Sequence, residues 1–406
     1  MTLYIGIDWS EKKHDVVMMN EKGGVVIRLT IPHSVEGFGQ FNLVRQKTGA
    51  PVEECVVGLE TQHNLLVDFL WGQGYQRVYI MPPSTTESGR KRFKVSPAHD
   101  DQDDAELIAE LLRVELHRFR PWHPGSELTQ AIRSKVKYIQ FLTRQVVRTT
   151  NRLRAVLLRY YPGVVGVFSS LDTQIALEFI RAYPTPQAAE GLKLDDFKAF
   201  GKQHHYTRPK HLAACYAQLQ KSQPQASPAI VAAYQEEAAS LAEMALGMVR
   251  TRIKILARLQ ELYLQHPDYA IFHSLPEAGE FLEPALLAML GDDRARFPTA
   301  NTLQVQAGTC PTTERSGKHT YASFRRACDR DFQHIAQQWA RATLHSSVWA
   351  NAYFKDVLVH SRSENHALRC LANRWLAILW RLWVEHKTYD ENYHLERHAQ
   401  RAKPKA

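Results

Sequence analysis

What this 406-residue sequence lacks narrows what it can be. Its five cysteines, Cys55, Cys215, Cys310, Cys328 and Cys370, are scattered. They form neither a zinc pattern nor a disulfide framework, which suggests a reducing compartment. No apolar run approaches the roughly 20 residues needed to span a bilayer, and no secretory leader is recognisable. No Walker-type phosphate loop occurs. The expectation is a soluble cytoplasmic protein with no membrane partner. Acidic side chains are outnumbered, 42 against 51 basic, for a formal charge of +9. That excess favours an anionic partner, most commonly nucleic acid.

Against this background a few carboxylates stand out. Tyr4-Ile-Gly-Ile-Asp-Trp-Ser10 reads as a first strand carrying a lone acid, Asp8. A charged hairpin, an apolar run over Val16–Met19, a turn and a third run over Val25–Leu29 follow. The pattern then predicts a helix over Val35–Lys47, a strand from Cys55 ending on Glu60, a helix over Asn64–Gln73 and a strand over Val78–Met81. Three strands, a helix, a strand, a helix and a strand is the element order of a ribonuclease H-like α/β fold, in which chemistry sits near strand ends. An isolated acid on a buried strand is costly unless a metal or a base offsets it.

Next comes a basic cluster, Arg90, Lys91, Arg92 and Lys94, suited to a phosphate backbone. His99-Asp-Asp-Gln-Asp-Asp-Ala105 then opens an amphipathic helix. Asp101 and Asp104 share a face of its first turn. So many aspartates exceed what capping needs, and a divalent cation would offset their repulsion.

After Pro121–Gly125, Ser126 can cap a long helix to about Tyr161. One face is apolar; the other carries eight basic groups, Arg144, Arg148 and Arg152 among them, against Glu127. Residues 163–228 read as an irregular insert of small helices and loops. A second long helix, about 229–265, repeats Tyr234, Leu241, Met248, Ile255 and Leu262 every seven residues, as a coiled coil does. Its partner is either the first long helix or another subunit. A mostly helical region follows, holding a polar loop, Thr309–Lys318, with Ser316 beside Gly317. Arg315, Lys318, Arg325 and Arg326 around it are further candidates for phosphate contact. The divisions expected are 1–124, 125–268, 269–395 and a basic tail, 396–406.

Gly6-Ile7-Asp8, the strand ending in Glu60, and Asp101-x-x-Asp104-Ala105 together resemble the amino-terminal domain of the DEDD transposases of insertion sequence 110 type. Leu275 through Phe297, Gly308, Pro311 and Ser316-Gly317 are similar to that family's carboxy-terminal transposase domain, and Tyr389-Asp390-Glu391 to its close. The resemblance implies a RuvC-like, Holliday-junction-resolvase-like domain in which Asp8, Glu60, Asp101 and Asp104 hold Mg²⁺. It implies that Ser316 is a nucleophile forming a phosphoserine link to DNA, and that a noncoding bridge RNA pairs with donor and target DNA. It also implies a homo-oligomer, a dimer or a tetramer on DNA, in a bacterial or archaeal cytoplasm and nucleoid-associated when active. Two departures stand out. The family's Gly-Ile-Gly turn is Glu277-Ala278-Gly279 here, and the usual Lys-Thr before the third acid is His99-Asp100. The alternative is a metal-dependent nuclease or junction resolvase in which water attacks and Ser316 is an ordinary turn residue.

Overall fold

The computed structural model describes residues 2–61, 65–93, 101–317, 319–361, 363–393 and 395–396, except the side chains of Phe93, Asp101 and Glu314. The chain forms two compact units, Met1–Pro124 and Gly125–Ala406.

The first unit is built on a five-stranded sheet of β1 (Leu3–Trp9), β2 (Lys13–Met19), β3 (Val25–Pro32), β4 (Cys55–Leu59) and β5 (Val78–Ile80), in the order β3-β2-β1-β4-β5. β1 to β3 form an antiparallel meander, whereas β4 and β5 add in parallel through crossovers. Helices α1 (Val35–Lys47) and α2 (Leu65–Gly72) form those crossovers and cover one face. There Phe41, Leu66 and Leu70 pack on Ile5, Ile7, Val57 and Leu59. Ser34 starts α1 by accepting the Gly37 amide, a side-chain cap at its N-terminus. The other face takes α3 (Pro83–Phe93) and α4 (Asp101–Glu115), with Ile108, Leu111 and Leu112 against Val56, Tyr79 and Met81.

Two expectations need adjusting here. β4 stops at Leu59, so Glu60 is the first residue beyond the strand. Pro83–Phe93 forms a full helix that the sequence pattern did not announce. Its polar composition carries no apolar stripe; it is tied down by ion pairs instead.

The second unit is organised by two long helices, α5 (Glu127–Tyr160) and, beyond a set of short helices, α10 (Pro228–Tyr263). They pack antiparallel. Ile132 and Val136 near the start of α5 share a core with Leu259 and Tyr263 at the end of α10. Val146, Leu153 and Leu157 share another with Ala238, Ala242 and Val249. The partner of α10 within this chain is therefore α5. Ala238, Ala242, Ala245 and Val249 are buried, whereas Tyr234, Leu241 and Met248 of the heptad row only flank that core. Small alanines let the two backbones approach, and that sets which stripe turns inward.

Between the long helices, α6 (Gln174–Ala182), α7 (Pro186–Ala189), α8 (Leu194–Gln203) and α9 (Leu212–Leu219) surround Phe168, Phe179, Phe197 and Phe200. The expected irregular insert is thus ordered, its aromatic side chains joining the core that α5 and α10 share. Then follow α11 (Tyr269–His273), α12 (Gly279–Leu290), α13 (Ala300–Gln306), a hairpin of β6 (Thr312–Ser316) and β7 (His319–Ser323), α14 (Arg330–Ala342), α15 (Val348–His360) and α16 (Glu364–Glu385). Trp339, Trp375 and Trp383 are fully buried in this part. Asp292 fastens it to the start of α5, accepting the Ser126 amide at 2.6 Å and the Thr129 hydroxyl at 2.5 Å. No described helix is long and apolar enough to cross a membrane.

Candidate active site: an acid face and a serine hairpin

Side chains alternate along β1, so Gly6 and Asp8 share the face covered by α4. Glycine at position 6 is required by that cover: a Cβ there would lie 1.9 Å from the Ala105 carbonyl oxygen and 2.6 Å from the Ala109 nitrogen. At Gly58, its register partner on β4, a Cβ would meet Ile108 and Leu112 within 3 Å. Two facing glycines therefore let α4 lie directly on the sheet. Its direction follows from Arg113, which packs against Gly23 in the β2–β3 turn, at the Leu3 end of β1. The first turn of α4, with Asp101 and Asp104, accordingly points toward the Asp8 end.

Glu60 reaches the same end of the sheet, because β4 runs parallel to β1 with Leu59 opposite Ile7, one residue before Asp8. The hydroxyl of Thr86 in α3 donates to Glu60 Oε1 at 2.5 Å. Asp104 is gripped in fork-to-fork fashion by Arg90, whose Nε and Nη2 lie 3.0 and 2.6 Å from its two oxygens. One residue absent from the expected set also stands here. Asp15 of β2 lies opposite Asp8 and is almost wholly buried, accepting from Thr30 at 2.5 Å and Lys13 at 3.3 Å. On the far face of β2, burial lowers the His14 pKa from 6.5 to about 4, with His33 beside it adding to the effect.

The basic cluster proves largely committed to acids. Besides Arg90 with Asp104, Lys91 meets Glu87 at 3.2 Å and Arg92 pairs with Glu115, holding that carboxyl below its usual range. Lys94, Lys318 and the Asp101 side chain lie outside the described residues. On α5, Arg144 pairs with Asp331 at 2.8 Å and Arg152 with Glu237 at 2.7 Å. Arg148 is exposed.

The polar loop expected around Ser316 is instead an antiparallel hairpin. Ser316 ends β6, and its register partner is His319, the first residue of β7. Gly317 takes φ +58°, the left-handed backbone that a tight hairpin turn demands. Ser316, Arg315 and all of β7 are exposed. Arg325 braces the hairpin base, donating to the carbonyls of Cys310 at 3.2 Å and Pro311 at 3.3 Å. Its guanidinium is thus partly spent on structure, whereas Arg326 is exposed.

Two family models match the two parts that hold these features. One, described as transposase, covers residues 5–162 and hence Asp8, Glu60, Asp101 and Asp104. The other, described as transposase of the IS116/IS110/IS902 family, covers residues 269–355 and hence the serine hairpin. The chain belongs to the IS110 family of transposases. Similar proteins include the "Mini-circle putative transposase for IS117" of Streptomyces coelicolor, 28% identical over 96% of this chain and 96% of that protein. An insertion element IS110 protein of the same organism is 24% identical over 72% of each chain. An insertion element IS900 protein of Mycobacterium paratuberculosis is 24% identical over 80% of this chain and 81% of its own.

Carboxylate oxygens are the donors that Mg²⁺ prefers, and the acids of this IS110-family transposase suit it in kind and in sharing one end of the sheet. Among the described residues, no three acids, histidines or cysteines stand close enough to enclose an ion. The fork that Arg90 makes with Asp104 supplies positive charge at the place where a cation is expected.

Proposed function

We propose that this transposase cuts and rejoins the DNA of a mobile insertion sequence, with Ser316 as the attacking group and Asp8, Glu60, Asp101 and Asp104 as holders of Mg²⁺ or Mn²⁺. The reading treats the first unit as a RuvC-like member of the ribonuclease H class. Its main support is the approach of α4 to β1 at Gly6, which brings the first turn of that helix toward the end of the sheet where Asp8 and Glu60 lie. When bound, a divalent ion would neutralise charge on the phosphoryl oxygens during in-line displacement. The chain's own part is to hold the acids, to bind the DNA and to present a serine. Ser316 Oγ would form a bond to phosphorus while the bond to a deoxyribose oxygen breaks. Conserving that bond as phosphoserine would let strands be exchanged without ATP.

In this reading a noncoding bridge RNA selects donor and target DNA by base pairing. The excess of 51 basic over 42 acidic side chains and the exposed Arg148, Arg315 and Arg326 favour such polyanions. The chain would act as a dimer, or as a tetramer on DNA. The exposed, mutually stacked Tyr138 and Phe141 on α5 offer apolar surface for such an assembly.

The test uses full-length protein, the RNA that copurifies with it, end-labelled element DNA and Mg²⁺, resolved on denaturing gels. The expected product is a protein–DNA adduct that disappears in Ser316→Ala and in Asp8→Ala. Hydrolysed ends without an adduct would overturn the serine mechanism and favour a nuclease that activates water.

A further inference from the structure

We propose that His319 is the general base for Ser316. The inference rests on Ser316 being the nucleophile and adds a residue to its machinery. A serine hydroxyl is a weak nucleophile and needs a proton acceptor. In the β6–β7 ladder Ser316 pairs with His319, so both side chains leave the same face of the hairpin. Directly opposed residues of an antiparallel pair have Cβ atoms about 5 Å apart, from which an imidazole nitrogen reaches a serine oxygen by rotation of side-chain torsions alone. The His319 ring stacks on Tyr321, two residues along the same face, with centroids 6.2 Å apart and planes 25° apart. That stacking restrains the ring while leaving its edge open. No hydrogen bond or ion pair engages the imidazole among the described residues, so both nitrogens are available. Contacts of this kind often close only when substrate binds.

The step balances simply. Ser316 Oγ bonds to phosphorus, and its proton passes to the neutral imidazole of His319. The phosphorus–oxygen bond to deoxyribose breaks, and the leaving oxygen departs with the electron pair and takes a proton from water. On rejoining, a deoxyribose hydroxyl gives its proton to solvent hydroxide and bonds to phosphorus, the phosphorus–Oγ bond breaks, and His319 returns its proton to the departing serine oxygen.

The test compares rates of adduct formation by full-length wild type, Ser316→Ala and His319→Ala, each with and without added imidazole. His319→Ala should slow the adduct about 100-fold, the usual scale of general base catalysis, and free imidazole should restore at least a tenth of the lost rate. An unchanged rate in His319→Ala overturns the proposal. So does a slowed rate that imidazole does not restore, because a ring with only a structural role cannot be replaced from solution. An adduct persisting in Ser316→Ala would instead refute the nucleophile itself, which separates the two failures. His319 is exposed on its hairpin, so its loss should leave thermal unfolding unchanged.

Discussion

Asp8 and Ser316 sit in opposite surroundings. Asp8 follows strand residues that are completely buried and lies beneath a helix held in place by two glycines. Ser316 ends a strand whose partner is exposed along its whole length. In the proposed function the carboxylates share a cation and need fixed spacing, which strands braced by a closely packed helix can supply. A nucleophile that must reach a large anionic chain is better carried on a projecting hairpin. The difference teaches that substitutions at the acid face should disturb fold and chemistry together, while those at the hairpin should disturb chemistry alone.

The sharpest way to break that comparison is Ser316→Ala, expected to abolish covalent DNA attachment while changing stability by no more than about 0.5 kcal/mol, as for surface sites generally. Adduct gels and thermal melts on one preparation check both halves. Next is Gly6→Val, whose side chain would collide with the Ala105 backbone. It should cost about 3 kcal/mol or more, because backbone, unlike a side-chain tip, cannot move aside. Gly58→Ala meets the ends of Leu112 and Ile108 instead and should cost less. If denaturant melts show Gly6→Val to be as harmless as a hairpin change, the account of the α4–β1 contact is wrong.

A third prediction concerns acid. The native His14 pKa is about 4 against 6.5 in the unfolded chain. The unfolded chain therefore binds a proton below pH 6.5 that the native state refuses until about pH 4. The stability this supplies is complete above pH 6.5 and is lost as the pH falls toward 4, a change on the order of 3 kcal/mol. Urea midpoints followed across that range should flatten in His14→Gln.

The smallest effect belongs to Glu277, which holds φ +54°, a left-handed backbone that glycine adopts without strain. Glu277→Gly should relieve about 1 kcal/mol of left-handed strain and raise the melting temperature by about 2 °C. A lower melting temperature would show that the side chain contributes more than its backbone costs.

Much of the first unit was legible because the apolar runs of its strands are local signals, as is the Ser126 cap that opens the first long helix of the second unit. Asp8 and Glu60 stood out in the sequence as lone acids on apolar runs, and Asp101 and Asp104 as part of an aspartate cluster larger than a helix start needs. Helix α3 was not, because Ser84, Thr85, Glu87 and Ser88 give no periodic apolar signal. Asp15 was hidden by its neighbours Lys12 and Lys13, which made the segment look like a solvated turn. The insert at 163–228 looked irregular because its helices are short; only their shared aromatic core reveals them as structure.

By itself, then, the sequence determined the order of the five strands and their two crossover helices, the positions of the acids and the likeness to one transposase family, all of which depend on residue type and local spacing. Tertiary structure alone decided that α4 rests on Gly6, that Arg90 is taken by Asp104, that α5 is the partner of α10 and that His319 faces Ser316. The physical reason lies in pairing. Which helix meets a glycine depends on packing across about a hundred residues, and a one-residue slip in a hairpin would turn the same histidine to the opposite face.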